Sequence, residues 1–146
     1  MNKKVIIIGA GAAGMMAACA AAKDGAQVTL IEKNELLGKK IRITGKGRCN
    51  ITNNCSVEDF LQNIPKNSKF LYSAINQFSP HDTINFFEKN GLRVKTERGN
   101  RVFPESDNAK DLVKVFEKIL KNSGVKIITS KVKRLILENN KCIGVI

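Results

Sequence analysis

The 146-residue chain predicts an α/β fold on a parallel sheet, and three features carry that expectation. A β-branched run, "KKVIIIG", leads directly into an alanine-rich segment and then into a second apolar run, "QVTLIE". The turn after the first run is dense in glycine. The second run ends on an acid, Glu32.

Each element follows from local chemistry. "KKVIIIG" reads as a strand buried on both faces, because it is continuously apolar rather than alternating. Ala12 to Lys23 reads as a helix of small residues and methionine, stopped by Asp24-Gly25. "QVTLIE" completes a βαβ unit, which requires parallel pairing and a right-handed crossover. A helical insertion follows. Ser56 with Asp59 starts one helix, Ser68 to Phe78 carries apolar residues at helical spacing, and Ser79-Pro80 with Asp82 caps a third. "LRVKTE" and "RVFP" alternate around "RGN" as a small hairpin. Asp107 to Asn122 has one apolar face and ends at Ser123-Gly124. "VKIIT" is a third strand, and a last hairpin turns at Asn139-Asn140.

Bulk composition narrows the function. No apolar run approaches the length of a membrane span. The N-terminal lysines and apolar residues are similar to a signal peptide, but Gly9, Gly11 and Gly14 interrupt them, and a cytoplasmic location is expected. The four cysteines are scattered without metal-ligand spacing, so neither a disulfide framework nor a zinc site is expected. His81 falls at a helix start, as a surface or capping residue. The net charge of +12 is carried mostly by dispersed lysines with few aromatics between them. That pattern reads as an ordinary lysine-rich surface rather than a nucleic-acid or membrane-surface platform, and a basic surface also suits a polyanionic cofactor.

Gly9-Ala10-Gly11-Ala12-Ala13-Gly14 is a GxGxxG string between a strand and a helix. In that setting the first glycine permits the turn, the second admits a pyrophosphate, and the third lets helix and strand pack closely. The phosphates then meet the helix N-terminus. Glu32 sits where an acid accepts hydrogen bonds from a ribose and disfavours a 2′-phosphate. FAD and NAD satisfy these features equally. The next segment separates them: roughly 25 residues rich in glycine and cations follow Glu32, where a simple dehydrogenase would continue with helix and strand. A loop such as "RITGKGRCNITN" can follow a ligand longer than a mononucleotide, with Gly38, Gly45 and Gly47 allowing close backbone approach.

These strings together, GxGxxG, "EKNELLGKK", "ITGKGRCNITN" and "GNRVFPESDNAKDL", resemble the N-terminal part of a bacterial family of NAD(P)/FAD-dependent oxidoreductases of the aminoacetone-oxidase or bile-acid-reductase type. The resemblance covers essentially the whole chain, and G-x-G-R-C-N-x-T-N is its most specific part. It implies a Rossmann-like FAD/NAD(P)-binding domain, with residues 1–146 as an incomplete N-terminal portion of proteins of roughly 400 residues. The substrate domain and a later FAD-binding segment would be absent, so this chain alone is expected to hold flavin weakly and to turn nothing over. FAD contacts are implied at Gly9, Gly11, Ala13 and Gly14, at Glu32 and Lys33, at Gly38 and Lys40, and along Thr44, Gly45, Gly47, Arg48, Cys49 and Asn50. Val132 resembles a position whose backbone contacts adenine. Lys46 departs from the family, which often has glycine there. Arg48 would meet an anion or the flavin's pyrimidine edge, unless it is a plain surface arginine. Cys49 and Cys55 are spaced unlike the redox pair of flavin disulfide reductases, and no catalytic residue is assigned. The partners expected are FAD, a small-molecule substrate and NAD(P)H as donor, with no nucleic acid and no membrane. The alternatives that stay open are an NAD-binding Rossmann dehydrogenase and a non-catalytic nucleotide- or nucleic-acid-binding module.

Overall fold

The computed structural model describes residues 3–146. The chain forms two compact units, one made of the residues up to Ile41 together with Phe116–Ile146, the other of Arg42–Val115. The helix Ala109–Asn122 contributes residues to both.

In the first unit, strand β1 (Lys4–Ile8), helix α1 (Ala12–Lys23) and strand β2 (Gln27–Glu32) form the expected parallel βαβ. Strand β6 (Lys126–Thr129) adds to the far side of β2, giving the order β1-β2-β6. Ile8 lies opposite Ile31, and Glu32 opposite Thr129. Val5 and Ile7 pair with Val28 and Leu30 on the α1 side of the sheet, where Val28 and Leu30 are 2% and 0% exposed. Met15, Ala18 and Cys19 are the buried residues of α1.

The expectation that β1 is buried on both faces is corrected here: Ile6 and Ile8 are 45% and 53% exposed. A continuous apolar run does not reveal how many faces are covered. Here α1 covers one face, and the other looks onto an open groove of about 520 Å³. The C-terminal hairpin, β7 (Leu135–Glu138) and β8 (Lys141–Val145), lines the far wall of that groove. Asn139 and Asn140 both have positive φ, the geometry a two-residue type I′ turn demands.

The second unit holds helices α2 (Val57–Gln62), α3 (Ser68–Gln77) and α4 (Pro80–Lys89), beside strands β4 (Val94–Glu97) and β5 (Arg101–Pro104). The start signals act as expected. The Ser56 hydroxyl accepts the Asp59 N–H at 3.0 Å, and Ser79 and Asp82 form a reciprocal capping box at the start of α4. The hairpin gains a third strand that the sequence did not announce. Strand β3 (Thr52–Asn53) pairs antiparallel with β5, so the sheet order is β3-β5-β4; two residues are too few for any periodicity to show. Helix α5 (Ala109–Asn122) begins later than Asp107, because Asp107 adopts φ +54 and cannot start a right-handed turn. Val102, Phe103 and Val113 are among the buried core residues of this unit.

The one-sided cover of β1 has a measurable consequence. Leu30→Ala should cost about 3 kcal/mol in urea unfolding, as expected for a fully enclosed leucine. Ile8→Thr, which keeps a β-branched side chain on the open face, should stay within about 1 kcal/mol of the parent.

Candidate functional site

The site begins where β1 ends. Gly9 has φ +95 and donates its N–H to the Ile31 carbonyl at 2.7 Å, so the chain turns off the sheet in a conformation that suits glycine. Ala10, 1% exposed, donates its N–H to Glu32 Oε2 at 2.7 Å and accepts the Gly38 N–H at 2.8 Å. Gly11 is the N-cap of α1 and supplies no side-chain cap, which leaves first-turn N–H groups directed outward. The three glycines therefore have different reasons. A Cβ on Gly14 would lie 1.8 Å from the Gly9 carbonyl oxygen, whereas a Cβ on Gly11 would meet nothing within 4 Å. Gly14 is obligatory for packing. Gly11 keeps a space open.

Glu32 closes the other side. Its Oε1 accepts the Asn34 N–H at 2.9 Å and the Asn34 side-chain amide at 2.5 Å, and the residue is 8% exposed. Burial pushes its carboxyl pKa up, but the donors from Ala10, Asn34 and Lys33 outweigh burial and hold it below the ordinary value. An ionised carboxylate that keeps unused lone pairs at the end of a parallel strand is suited to accept hydroxyl donors.

Of the residues expected to contact a cofactor, Gly9, Gly11, Ala13, Gly14, Glu32, Lys33, Gly38, Lys40 and Val132 belong to this first unit. Gly38 is buried, Lys33 and Lys40 are exposed, and half-buried Val132 follows β6, whose Thr129 faces Glu32. Ala10 and Asn34, which hold the Glu32 carboxylate, were not singled out by sequence. Ala10 acts through its backbone, and no residue type signals that.

Thr44, Gly45, Gly47, Arg48, Cys49 and Asn50 belong to the second unit. Gly45–Arg48 is a tight turn closed by Arg48 N–H to Gly45 O at 3.1 Å, with Lys46 and Gly47 both at positive φ. The glycine-preferring position is thus occupied by Lys46. Cys49 is buried at 7% exposure; burial raises its thiol pKa against a hydrogen bond with the Thr44 side chain, and the sulfur stays protonated at neutral pH. All four cysteines are free. Among the described residues no three His, Cys, Asp or Glu side chains group together as a metal site, and no helix is long and apolar enough to cross a membrane. The Arg48 guanidinium is engaged by Glu97 and Asp107, two acids that sequence spacing did not bring to notice.

A strand, a glycine turn, a helix and a buried acid at the next strand's end define the FAD/NAD(P)-binding Rossmann-like class. The chain belongs, within that class, to the family described as HI0933-like protein Rossmann domain, which matches residues 3–145. It is 40% identical over 131 residues to the 3-dehydro-bile acid delta(4,6)-reductase of Clostridium scindens, covering 88% of this chain and 31% of that protein. It is 37% identical over 108 residues to the ribosomal RNA dihydrouridine synthase of Escherichia coli, covering 74% of this chain and 26% of that protein. The fold resembles the crystal structure of Thermovibrio ammonificans THI4 with a TM-score of 0.61 at 12% identity, over 97% of this chain and 45% of that one. The chain therefore spans about a third or less of the curated relatives it matches. The family is one of oxidoreductases, and FAD is the cofactor that it supports. The residues present fit that cofactor: the space over Gly11, the uncapped α1 N-terminus and the Glu32 carboxylate are the donors, acceptor and clearance that an adenosine diphosphate moiety needs.

Two outcomes follow. Gly14→Ala should destabilise the chain by about 3 kcal/mol, because its Cβ meets backbone. Gly11→Ala should leave urea stability nearly unchanged while lowering FAD affinity, read by flavin fluorescence titration. In addition, the folded-state pKa of Glu32 lies below its unfolded value. Its contribution is complete above roughly pH 4.3 and is lost as pH falls through the lower folded value. Acid unfolding of Glu32→Gln should therefore show a shallower pH dependence than the parent.

Proposed function

We propose that residues 1–146 are the N-terminal part of the FAD-binding domain of a flavin-dependent reductase. Gly9, Gly11, Ala13 and Gly14 would hold the pyrophosphate, with Glu32 and Lys33 on the adenosine ribose and the Val132 backbone at adenine. Gly38, Lys40 and the segment Thr44, Gly45, Gly47, Arg48, Cys49 and Asn50 would line the path towards the flavin. The observation that carries the reading is the buried Glu32 carboxylate bonded to the Ala10 N–H beside an open Gly11.

Bound FAD supplies hydride transfer through flavin N5. The chain's own residues bind and orient it. The α1 N-terminus offers N–H donors to the diphosphate. Glu32 remains ionised and receives ribose hydroxyls, and an acid at that place disfavours a 2′-phosphorylated nucleotide. One relative is named for reducing delta(4,6) double bonds and another for making dihydrouridine. Addition of two hydrogens across a carbon–carbon double bond is common to both names. We accordingly take the substrate to be a small molecule with such a bond, and NAD(P)H to be the donor, with the protein acting in the cytoplasm.

The full polypeptide should purify yellow with a flavin spectrum, and anaerobic NAD(P)H should bleach it. A reoxidation screen with conjugated enones and, in parallel, ribosomal RNA then identifies the acceptor. A folded, colourless protein that takes up no added FAD would sink the reading. The 146-residue chain should show weak flavin retention and no turnover.

A further inference from the structure

The turn in the second unit is strained, and the strain has identifiable restraints. Gly45, Lys46, Gly47 and Cys49 have φ of +56, +58, +86 and +60. Two of these residues carry a Cβ, and for each such residue a left-handed backbone costs on the order of 1 kcal/mol. Conformations of this kind persist where surrounding contacts over-determine them, and they gather where function needs a fixed backbone.

The contacts converge on Arg48, which lies inside the strained run. Its Nε and Nη2 donate to Asp107 Oδ1 at 2.7 and 2.6 Å, and Nη2 also meets Glu97. Its guanidinium carbon sits 4.3 Å from the centre of the Phe103 ring, and Phe103 is 4% exposed. Lys95 Nζ completes the ring of charges, 2.6 Å from Asp107 Oδ2 and 3.6 Å from Glu97 Oε1. Two cations therefore alternate with two carboxylates, drawn from the loop, from β4 and from the residues after β5. The donors from Lys95 and Arg48 hold Asp107 below its ordinary carboxyl value, and Arg48 does the same for Glu97. Beyond Cys49, the Asn50 amide donates to the carbonyls of Thr52 at 2.8 Å and Val102 at 3.1 Å, and the Ile51 N–H to Val102 at 2.8 Å. The loop is thus pinned on its C-terminal side by β5, the central strand of its sheet, and in its middle by one arginine.

We propose that Arg48, Glu97 and Asp107 form a clamp that holds the Gly45–Asn50 backbone in the shape a cofactor reads. Glu97 and Asp107 are then positioning residues that act through Arg48 and touch no reacting atom. The purpose of the clamp rests on the FAD reading, whereas its mechanical part does not. Lys46 gives the means to separate the clamp from simple stabilisation of β4 and β5. A glycine there relieves the strain directly, so the loop should then depend less on being held.

Hydrogen–deuterium exchange on the chain, with FAD titration of the full polypeptide, tests this. In Glu97→Gln/Asp107→Asn, amides of Gly47 to Asn50 should exchange at least tenfold faster, while those of α1 and β2 stay unchanged. The FAD dissociation constant should rise at least tenfold. Adding Lys46→Gly should restore most of the protection and of the affinity. Unchanged exchange, or acceleration spread evenly over β3, β4 and β5 without rescue by Lys46→Gly, would overturn the clamp. Exchange that shifts and recovers while FAD affinity stays constant would overturn its cofactor purpose alone. Should the double variant unfold, Arg48→Lys, which keeps the charge but loses the fork and the ring stacking, should give an intermediate exchange rate; parent-like exchange in it would equally overturn the clamp.

Discussion

The hydrogen bond from the Ala10 N–H to the Glu32 carboxylate is the tie on which the nucleotide turn of the first unit depends. It joins the glycine turn after β1 to the end of β2, and it exists because the turn exposes a backbone donor that would otherwise be buried without a partner. It also keeps a buried acid ionised, which leaves charge and lone pairs at the mouth of a parallel sheet. Loss of the bond would leave the Ala10 N–H without its partner at a residue only 1% exposed, while the Glu32 carboxylate would keep its Asn34 donors on Oε1. Gly38 then locks the following segment to the Ala10 carbonyl, so both backbone atoms of one alanine organise the turn.

The second unit solves a related problem by other means. There the backbone is not shaped by glycine alone, since Lys46 and Cys49 also take left-handed angles. Side chains remote in sequence supply the restraint, with Arg48 held by acids 49 and 59 residues away. One unit thus relies on glycine's freedom and a buried acid, and the other on a network of half-exposed charges. Surface ion pairs count for little singly; a closed ring around one arginine over a buried phenylalanine is better placed to fix geometry.

Much of this was legible in the residues. GxGxxG after a β-branched run led to the βαβ unit, Ser79 with Asp82 marked α4, and Asn139-Asn140 marked the I′ turn, because each is a local rule satisfied by neighbours. Three features were not legible, each for a physical reason. The run "VIII" looks alike whether one face is covered or two, so the exposure of Ile6 and Ile8 had no sign. Strand β3 owes its existence to pairing with β5, not to its own two residues. Asp107 reads as a helix start, yet its φ of +54 places its carboxylate on Arg48 instead.

The pairing of β2 with β6 has a consequence for how the molecule is made. Thr29 lies beside Lys126, so all of the second unit is synthesised between two neighbouring strands of one sheet. The equilibrium penalty of so long an interruption is small, since each doubling of a loop costs only about 0.6 kcal/mol. The kinetic effect is larger, because distant strand pairs form slowly. While the ribosome works through residues 42–125, β1 and β2 wait with the β2 edge that β6 will cover still unpaired, and the contiguous 42–115 unit is free to fold first. The nucleotide turn is thus written well before the third strand of the sheet beneath it, with an entire folding unit between them.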